Sequence, residues 1–232
     1  GSKNPLVVMD DADLNIAVAC ATNGAYGGTG QKCTASSRLI VHEKVYKEFT
    51  EKLIESISAL KVGHALEEGS QMGPVSSEAQ LQSNLDYIEV GKREAKLAYG
   101  GNPMNMRTPG YYMEPTLFID GDNKSRINQE EMFGSIACVI PVKSYEEGLE
   151  VANDTIFGLS SGIVTQSLSK AADFKKNIKT GVTTVNLPTA GLDYHVPFGG
   201  RKASSFGPRE QGTYAHEFYT HVKTTYVSPG KI

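Results

Sequence analysis

The chain is sparing with the residues that mark metal centres, cross-links and membranes. Its 232 residues contain three cysteines and five histidines. Cys20, Cys33 and Cys138 form no CxxC pair, and the scattered histidines do not make up the missing ligands, so no structural zinc site is expected. The odd cysteine count and wide spacing fit a reducing compartment, and a cytoplasmic location is expected. No run of about 18 apolar residues occurs, so no membrane-spanning helix is expected. The start lacks the basic-then-apolar pattern of a signal peptide. Basic charge is not in excess: 23 Lys and Arg face 26 Asp and Glu, a net charge of -3. That balance speaks against nucleic-acid and polybasic membrane partners.

Hydrophobic residues make up 39% of the chain and charged residues 21%, which excludes wholesale disorder. Gly1-Ser2 reads either as a tag remnant or as native sequence. Lys3-Asn4-Pro5 then runs directly into an apolar stretch, and a piece of a longer protein is expected.

Pro5 to Met9 is short, apolar and β-branched, the signature of a strand. Asp10, Asp11 and Asp13 suit a helix N-terminus, with Leu14, Val18 and Ala21 at helical spacing behind them. Gly24, Gly27, Gly28 and Gly30 read as a glycine-rich loop, and Ser37 to Val41 as a second strand. Val45, Phe49, Leu53, Ile57 and Leu60 mark one face of a helix, and Ser76-Ser77-Glu78 opens another. Residues 100–115 read as a loop, and Thr116–Ile119 and Ile136–Val142 as strands. Ser144 with Glu147 fits a capping box. Leu159–Val164, a helix near Ser169–Ile178, and Val182–Val185 complete the alternation. The pattern predicts an α/β fold with a mostly parallel open sheet and helices on both faces. Thr220–Val227 has strand propensity and is expected to lie on a sheet edge, in the same subunit or in a neighbour.

The segment Gly27 to Arg38 sets Cys33 just after glycines, between a helix and a strand. Small residues let a substrate approach a thiol, and backbone N–H groups in such a turn stabilise an oxyanion. The competing reading is an inert buried cysteine beside a tight turn. Asn128 to Gly134 pairs Glu130 and Glu131 with Phe133, which alone reads as a solvated helix end with one core ring. Pro197 to Lys202 and Gly207 to Glu210 read alone as simple turns.

Taken in order, these motifs are far more specific. Lys3-Asn4-Pro5 with Asp10 to Asp13, Gly30-Gln31-Lys32-Cys33 with Arg38, Glu130 to Gly134, Asn153-Asp154-Thr155 with Gly158-Leu159, and Pro197 to Gly200 together resemble the C-terminal half of an aldehyde dehydrogenase. The resemblance implies NAD or NADP as cofactor and Cys33 as the nucleophile that attacks the aldehyde. It implies a thiohemiacetal, then a thioester hydrolysed by water that a glutamate activates. It implies Glu131 as the carboxylate that holds the nicotinamide ribose, with Phe133 near the nicotinamide; Glu130 is not given that role. Cys20 falls in a helix pattern and Cys138 in an apolar strand, so neither matches the nucleophile. The backbone N–H of Cys33 matches one oxyanion donor.

Two parts of the family pattern do not appear. The general-base glutamate precedes the stretch matched by Ser2-Lys3-Asn4, and no phosphate-cradling glycine motif follows a strand at the start. The expected organisation is a cysteine-bearing catalytic domain over residues 1–208 and a C-terminal tail with an oligomerisation strand over residues 209–232, without the cofactor-binding domain. The chain alone is expected to be inactive. Ser204 to Gly212, Glu217 to Thr220 and Lys223-Thr224 resemble the subgroup that oxidises 2-oxoglutarate semialdehyde (2,5-dioxopentanoate). A homo-oligomer is expected. Three alternatives stay open: a CoA-acylating relative, a cysteine hydrolase or thioesterase pairing Cys33 with His64 or His195, and a non-catalytic assembly domain.

Overall fold

A computed structural model describes residues 1–230. In chain order the strands are β1 (Asn4–Val8), β2 (Ser36–His42), β3 (Lys96–Tyr99), β4 (Pro103–Met104), β5 (Tyr112–Met113), β6 (Thr116–Ile119), β7 (Ile136–Val142), β8 (Phe157–Gly158), β9 (Ser160–Val164), β10 (Val182–Val185) and β11 (Arg201–Lys202). The helices are α1 (Leu14–Tyr26), α2 (Glu43–Ser58), α3 (Glu78–Glu94), α4 (Arg126–Gln129), α5 (Tyr145–Asn153), α6 (Leu168–Asn177) and α7 (Ala215–Tyr219). Seven strands form one sheet in the order β10-β9-β1-β2-β7-β6-β3. All its pairings are parallel except β3 against β6. This is the mostly parallel α/β sheet that the alternation predicts.

The period-two geometry of a strand divides the apolar residues between two layers. Leu6 and Val8 of β1, Leu39 and Val41 of β2 and Val139 of β7 pack under α1 and α2 with Ala21, Phe49 and Leu53. Val7, Ile40 and Ile140 turn to the opposite face, against Ala152 of α5 and Phe174 of α6. Ile88 of α3 packs further along that face on Phe118, Ile136 and Cys138.

Short-range chemistry sets where the helices begin. Asp13 Oδ1 accepts from the amides of Asn15 (2.9 Å) and Ile16 (3.2 Å) at the start of α1. Ser77 Oγ accepts from Gln80 N, and Ser167 Oγ from Lys170 N. Half of the Ser144–Glu147 capping box forms as expected, with Ser144 Oγ accepting from Glu147 N. The Glu147 carboxylate reaches one residue further back, to the Lys143 amide at 2.6 Å.

Three local expectations change, and a fourth is narrowed to a neighbouring subunit. Gly24 lies inside α1 and not in the loop, because α1 runs on to Tyr26. A Cβ at Gly24 would sit 2.9 Å from Ser36 Oγ, so the glycine lets α1 approach β2. The 100–115 loop contains the small β4–β5 hairpin. β3, β8 and β11 contain no β-branched residue and so do not register as strands in the sequence. Residues 220–230 are exposed and form no strand within this chain, because an extended segment becomes a strand only against a partner edge. Lys231 and Ile232, the end of the expected tail, lie outside the described residues.

β1, β2 and β7 run parallel, so the residues just before them gather along one rim of the sheet. Ser2, the Cys33 turn and the Glu131–Phe133 loop all lie on this amino rim.

Candidate active site

The Cys33 turn begins where α1 ends. Gly28, Thr29 and Gly30 take φ of 63°, 63° and 66°. Glycine adopts this left-handed backbone freely, whereas the β-branched Thr29 is strained there. The Thr29 hydroxyl, donating to Gly73 O at 3.3 Å, helps to hold it. Gly30 is required twice over, because the Gly134 carbonyl occupies the space a Cβ would need. Gln31 pins the turn to the entry of α3, accepting from Ser76 N at 2.9 Å and donating to Ser76 Oγ at 3.1 Å. These glycines follow a helix C-terminus, whereas a phosphate cradle uses the N-H groups of a helix N-terminus.

Lys32 O then accepts from Ala35 N at 3.0 Å, which puts Cys33 and Thr34 in the middle of a tight turn. Cys33 is exposed, while Cys20 and Cys138 are 4% and 0% exposed. Burial raises the pKa of both inner thiols, that of Cys138 to about 11.

Successive carbonyls of this turn point into the protein. Cys33 O accepts from Asn4 Nδ2 (2.9 Å) and Ser2 Oγ (2.5 Å). Thr34 O accepts from Thr189 Oγ1 (2.7 Å) and Ser160 Oγ (3.4 Å). Ala35 O accepts from Asn4 Nδ2 at 2.8 Å. Asn4 Oδ1 accepts in turn from Ser160 N at 3.0 Å, and Thr189 Oγ1 shares a 2.6 Å hydrogen bond with Ser36 Oγ. Among the described residues, the N–H groups of Cys33 and Thr34 donate to nothing.

The second arm of the site leaves α4. Glu130 is fully engaged: Arg126 holds both its oxygens at 2.9 Å and Tyr87 donates to it at 3.0 Å. The Arg126 contact holds its carboxyl below the usual range. Glu131 lies apart from that pair. Its Oε1 accepts from Ser2 N at 2.9 Å, and its Oε2 has no donor among the described residues. Phe133 stands out at 38% exposure with φ 54°, so it is not the core ring of the alternative reading. Ser2, Lys32, Ser37, Glu131 and Phe133 line one narrow hollow, which brings the two arms together.

Two basic side chains lie buried beneath this rim. The Arg38 guanidinium donates to Lys3 O (3.0 Å), Asn123 Oδ1 (2.9 Å), Val151 O (2.8 Å) and Ala152 O (3.0 Å). Val151 and Ala152 are in the last turn of α5, where the helix dipole favours a cation. Lys3 Nζ, also buried, has no hydrogen-bond partner. Burial, reinforced by Arg38, lowers its pKa from 10.5 to about 7.

Neither candidate histidine partners the thiol. His64 Nδ1 accepts from Leu66 N at 3.2 Å, and His195 packs edge-on against Tyr194 with ring centres 5.6 Å apart. Asn153 and Asp154 do structural work: Asn153 Oδ1 accepts from Lys179 N at 2.7 Å, and Asp154 binds Asn123 and Lys124. Among the described residues no cluster of His, Cys, Asp and Glu suits a metal. No described helix is long and apolar enough to cross a membrane. The sequence signals missed Ser2, Asn4 and Thr189. Asn4 lay within the Lys3-Asn4-Pro5 motif, whereas Thr189 sits in a Gly/Pro loop with no local signal.

Comparison with known proteins gives a consistent picture. The profile of the aldehyde dehydrogenase family matches residues 1–225. The alpha-ketoglutaric semialdehyde dehydrogenase of Bacillus subtilis (strain 168) is 43% identical over 232 residues, covering 99% of this chain and 48% of that protein. The 2,5-dioxopentanoate dehydrogenase of Saccharolobus solfataricus is 40% identical over 228 residues, covering 97% of this chain and 47% of that protein. A crystal structure of 1-pyrroline-5-carboxylate dehydrogenase from Thermus with bound NAD superposes with a TM-score of 0.84 at 38% identity, covering 87% of this chain and 39% of that one. The chain thus spans about half the length of the curated relatives it matches.

Proposed function

The chain belongs to the aldehyde dehydrogenase family, and from that premise we propose that it carries the nucleophile of an NAD(P)-dependent dehydrogenase that oxidises an aldehyde to a carboxylic acid. The observation that carries this reading is the exposed Cys33 on the turn that follows Gly28–Gly30, linked through Ser2 to a carboxylate with a free oxygen. Cys33 Sγ bonds to the aldehyde carbon, and the carbonyl oxygen becomes the thiohemiacetal oxygen. The unpaired Cys33 N–H is the donor available to that oxygen. Loss of hydride leaves the thioester, and water cleaves it to the acid and the free thiol.

Glu131 and Phe133 fit the nicotinamide cofactor. A half-exposed carboxylate with one unengaged oxygen can accept from adjacent ribose hydroxyls, and an exposed ring can pack against a flat heterocycle. NAD or NADP supplies the hydride acceptor when bound. The substrate we favour is 2-oxoglutarate semialdehyde, on the identity to the Bacillus and Saccharolobus enzymes and the 204–224 segment.

In this reading residues 1–208 form the cysteine-bearing domain and residues 209–232 a tail that pairs with a neighbouring subunit. The general base and the dinucleotide-binding half lie outside these 232 residues, in keeping with coverage of 48% of the Bacillus relative. A missing base costs about 10²–10⁴ in rate. The resemblance also implies a second oxyanion donor, an Asn side chain of the N-terminal half, whose absence costs about 10²–10³. The 232-residue chain is therefore expected to be silent.

The test is reduced-cofactor absorbance with NAD or NADP and an aldehyde panel that includes 2-oxoglutarate semialdehyde. Silence from this chain is expected, together with turnover by a protein extended to the length of its relatives and its loss in the extended Cys33→Ser variant. Turnover that survives Cys33→Ser would overturn the nucleophile assignment. Turnover by the 232-residue chain would overturn the division of labour. A strict requirement for CoA would point to the acylating alternative.

A further inference from the structure

We propose that Asn4 and Thr189 are positioning residues, which aim the backbone of the Cys33 turn by fixing its carbonyls. This rests on Cys33 being the nucleophile. Both residues are buried, at 1% and 0% exposure, and both come from elements remote from the turn. Asn4 opens β1 and holds the Cys33 and Ala35 carbonyls at 2.9 and 2.8 Å. Thr189 lies in the loop after β10 and holds the Thr34 carbonyl at 2.7 Å.

A trans peptide is planar, with its C=O and N–H pointing in opposite directions. Anchoring Cys33 O inward therefore points the Thr34 N–H outward. Anchoring Thr34 O fixes the Thr34–Ala35 plane, whose N–H donates to Lys32 O at 3.0 Å and so holds the Lys32–Cys33 plane that carries the Cys33 N–H. The turn cannot rotate to hide its free amides without breaking hydrogen bonds to buried side chains. Without Thr189, Thr34 O keeps only the long 3.4 Å contact from Ser160 Oγ, and fully orphaning a buried acceptor costs about 1–3 kcal/mol. Asn4 and Thr189 themselves are braced, Asn4 by Ser160 N and Thr189 by Ser36 Oγ. Gly24 and Gly162 leave room for this: a Cβ at Gly24 would lie 3.7 Å from Thr189 Oγ1, and one at Gly162 3.2 Å from Thr189 Cγ2. The clamp thus acts on oxyanion stabilisation more than on access to sulfur.

Two reactions of the same thiol separate those effects. With p-nitrophenyl acetate, Cys33 Sγ bonds to the acyl carbon, the ester C–O bond breaks, p-nitrophenolate leaves, and the thiol proton passes to buffer. That path builds negative charge on the carbonyl oxygen. With iodoacetamide, the S–C bond forms as C–I breaks, iodide leaves and the thiol proton again passes to buffer. No oxyanion develops there. The experiment measures single-turnover acylation and alkylation of the 232-residue chain, with the labelled residue identified by peptide mass mapping, for the unaltered chain and for Thr189→Val, Thr189→Ser and Asn4→Ser. Thr189→Val keeps the shape and removes the donor, so it serves even if the Asn4 variant does not fold.

Thr189→Val is expected to slow acylation by about tenfold, a fraction of the loss for removing an oxyanion donor outright, and to leave alkylation within about twofold. Thr189→Ser is expected to restore acylation. Equal slowing of both reactions, or no slowing of acylation in folded Thr189→Val, would overturn the clamp while leaving Cys33 as the nucleophile. Absence of the acyl group from Cys33 in the unaltered chain would overturn the nucleophile reading and the clamp with it.

Discussion

Among the three cysteines, exposure and burial divide the chemistry. Cys33 is open to solvent, whereas Cys138 carries a pKa raised to about 11 and no accessible surface. Since the thiolate is the reactive form, timed iodoacetamide labelling of the native chain should mark Cys33 first. Faster labelling of Cys20 or Cys138 would reverse the assignment. Lys3 makes a second prediction at this scale. Its pKa falls from 10.5 to about 7 on folding, because burial and Arg38 disfavour the ammonium. Below about pH 7 both states hold the proton and the full penalty applies. Between about pH 7 and 10.5 the unfolded chain binds the proton and the folded chain does not, so this group makes stability rise with pH across that window. Lys3→Met should flatten that rise and stabilise the chain at neutral pH by about 1–3 kcal/mol. Urea unfolding at pH 6 and pH 9 checks both; a variant with an unchanged pH slope would show that Lys3 is not the titrating group.

At the scale of elements, the clearest dependence is on glycine at close approaches. Gly30→Ala meets both a φ of 66° and the Gly134 carbonyl, so the turn must shift. The expected loss is roughly 2 kcal/mol or more in thermal unfolding, with the Cys33 arm displaced from the Glu131 arm. Gly91→Ala is a milder case: its Cβ first meets the Phe118 ring, from 2.5 Å, within the α3–sheet interface. Overpacking of that kind costs about 1–3 kcal/mol, and thermal unfolding should show it with Cys33 labelling unchanged. What was legible in the sequence follows the same division. Asp13, Ser77 and Ser144 announce helix starts because a cap bonds two or three residues away. β3 was invisible because Lys96-Leu97-Ala98-Tyr99 has little β-propensity and becomes a strand only by pairing with β6. Cys33, Glu131 and Phe133 stood out through ordered motifs. Asn4 and Thr189 did not, since their bonds to the turn span 29 and 155 positions.

The molecule as a whole leaves an apolar margin uncovered along its C-terminal tail. Tyr219, Val222, Tyr226 and Val227 are 73%, 100%, 94% and 85% exposed along a tail that forms no strand within this chain. If the tail pairs with a neighbouring sheet edge, deleting residues 219–232 should shift the sedimentation profile toward a smaller species. An identical profile with and without the tail would reject that pairing.

Open α/β sheets usually bind ligands at the carboxyl ends of their strands. Here the thiol, the clamp and Glu131 sit at the amino ends of β1, β2 and β7, and the far rim carries none of them. Exposed Gln166, two residues beyond the end of β9, belongs to that far rim. A chain immobilised on a sensor surface through a short tether inserted at Gln166 would face its thiol away from the support. The fold thus provides a blank side for handling and a reactive side for chemistry.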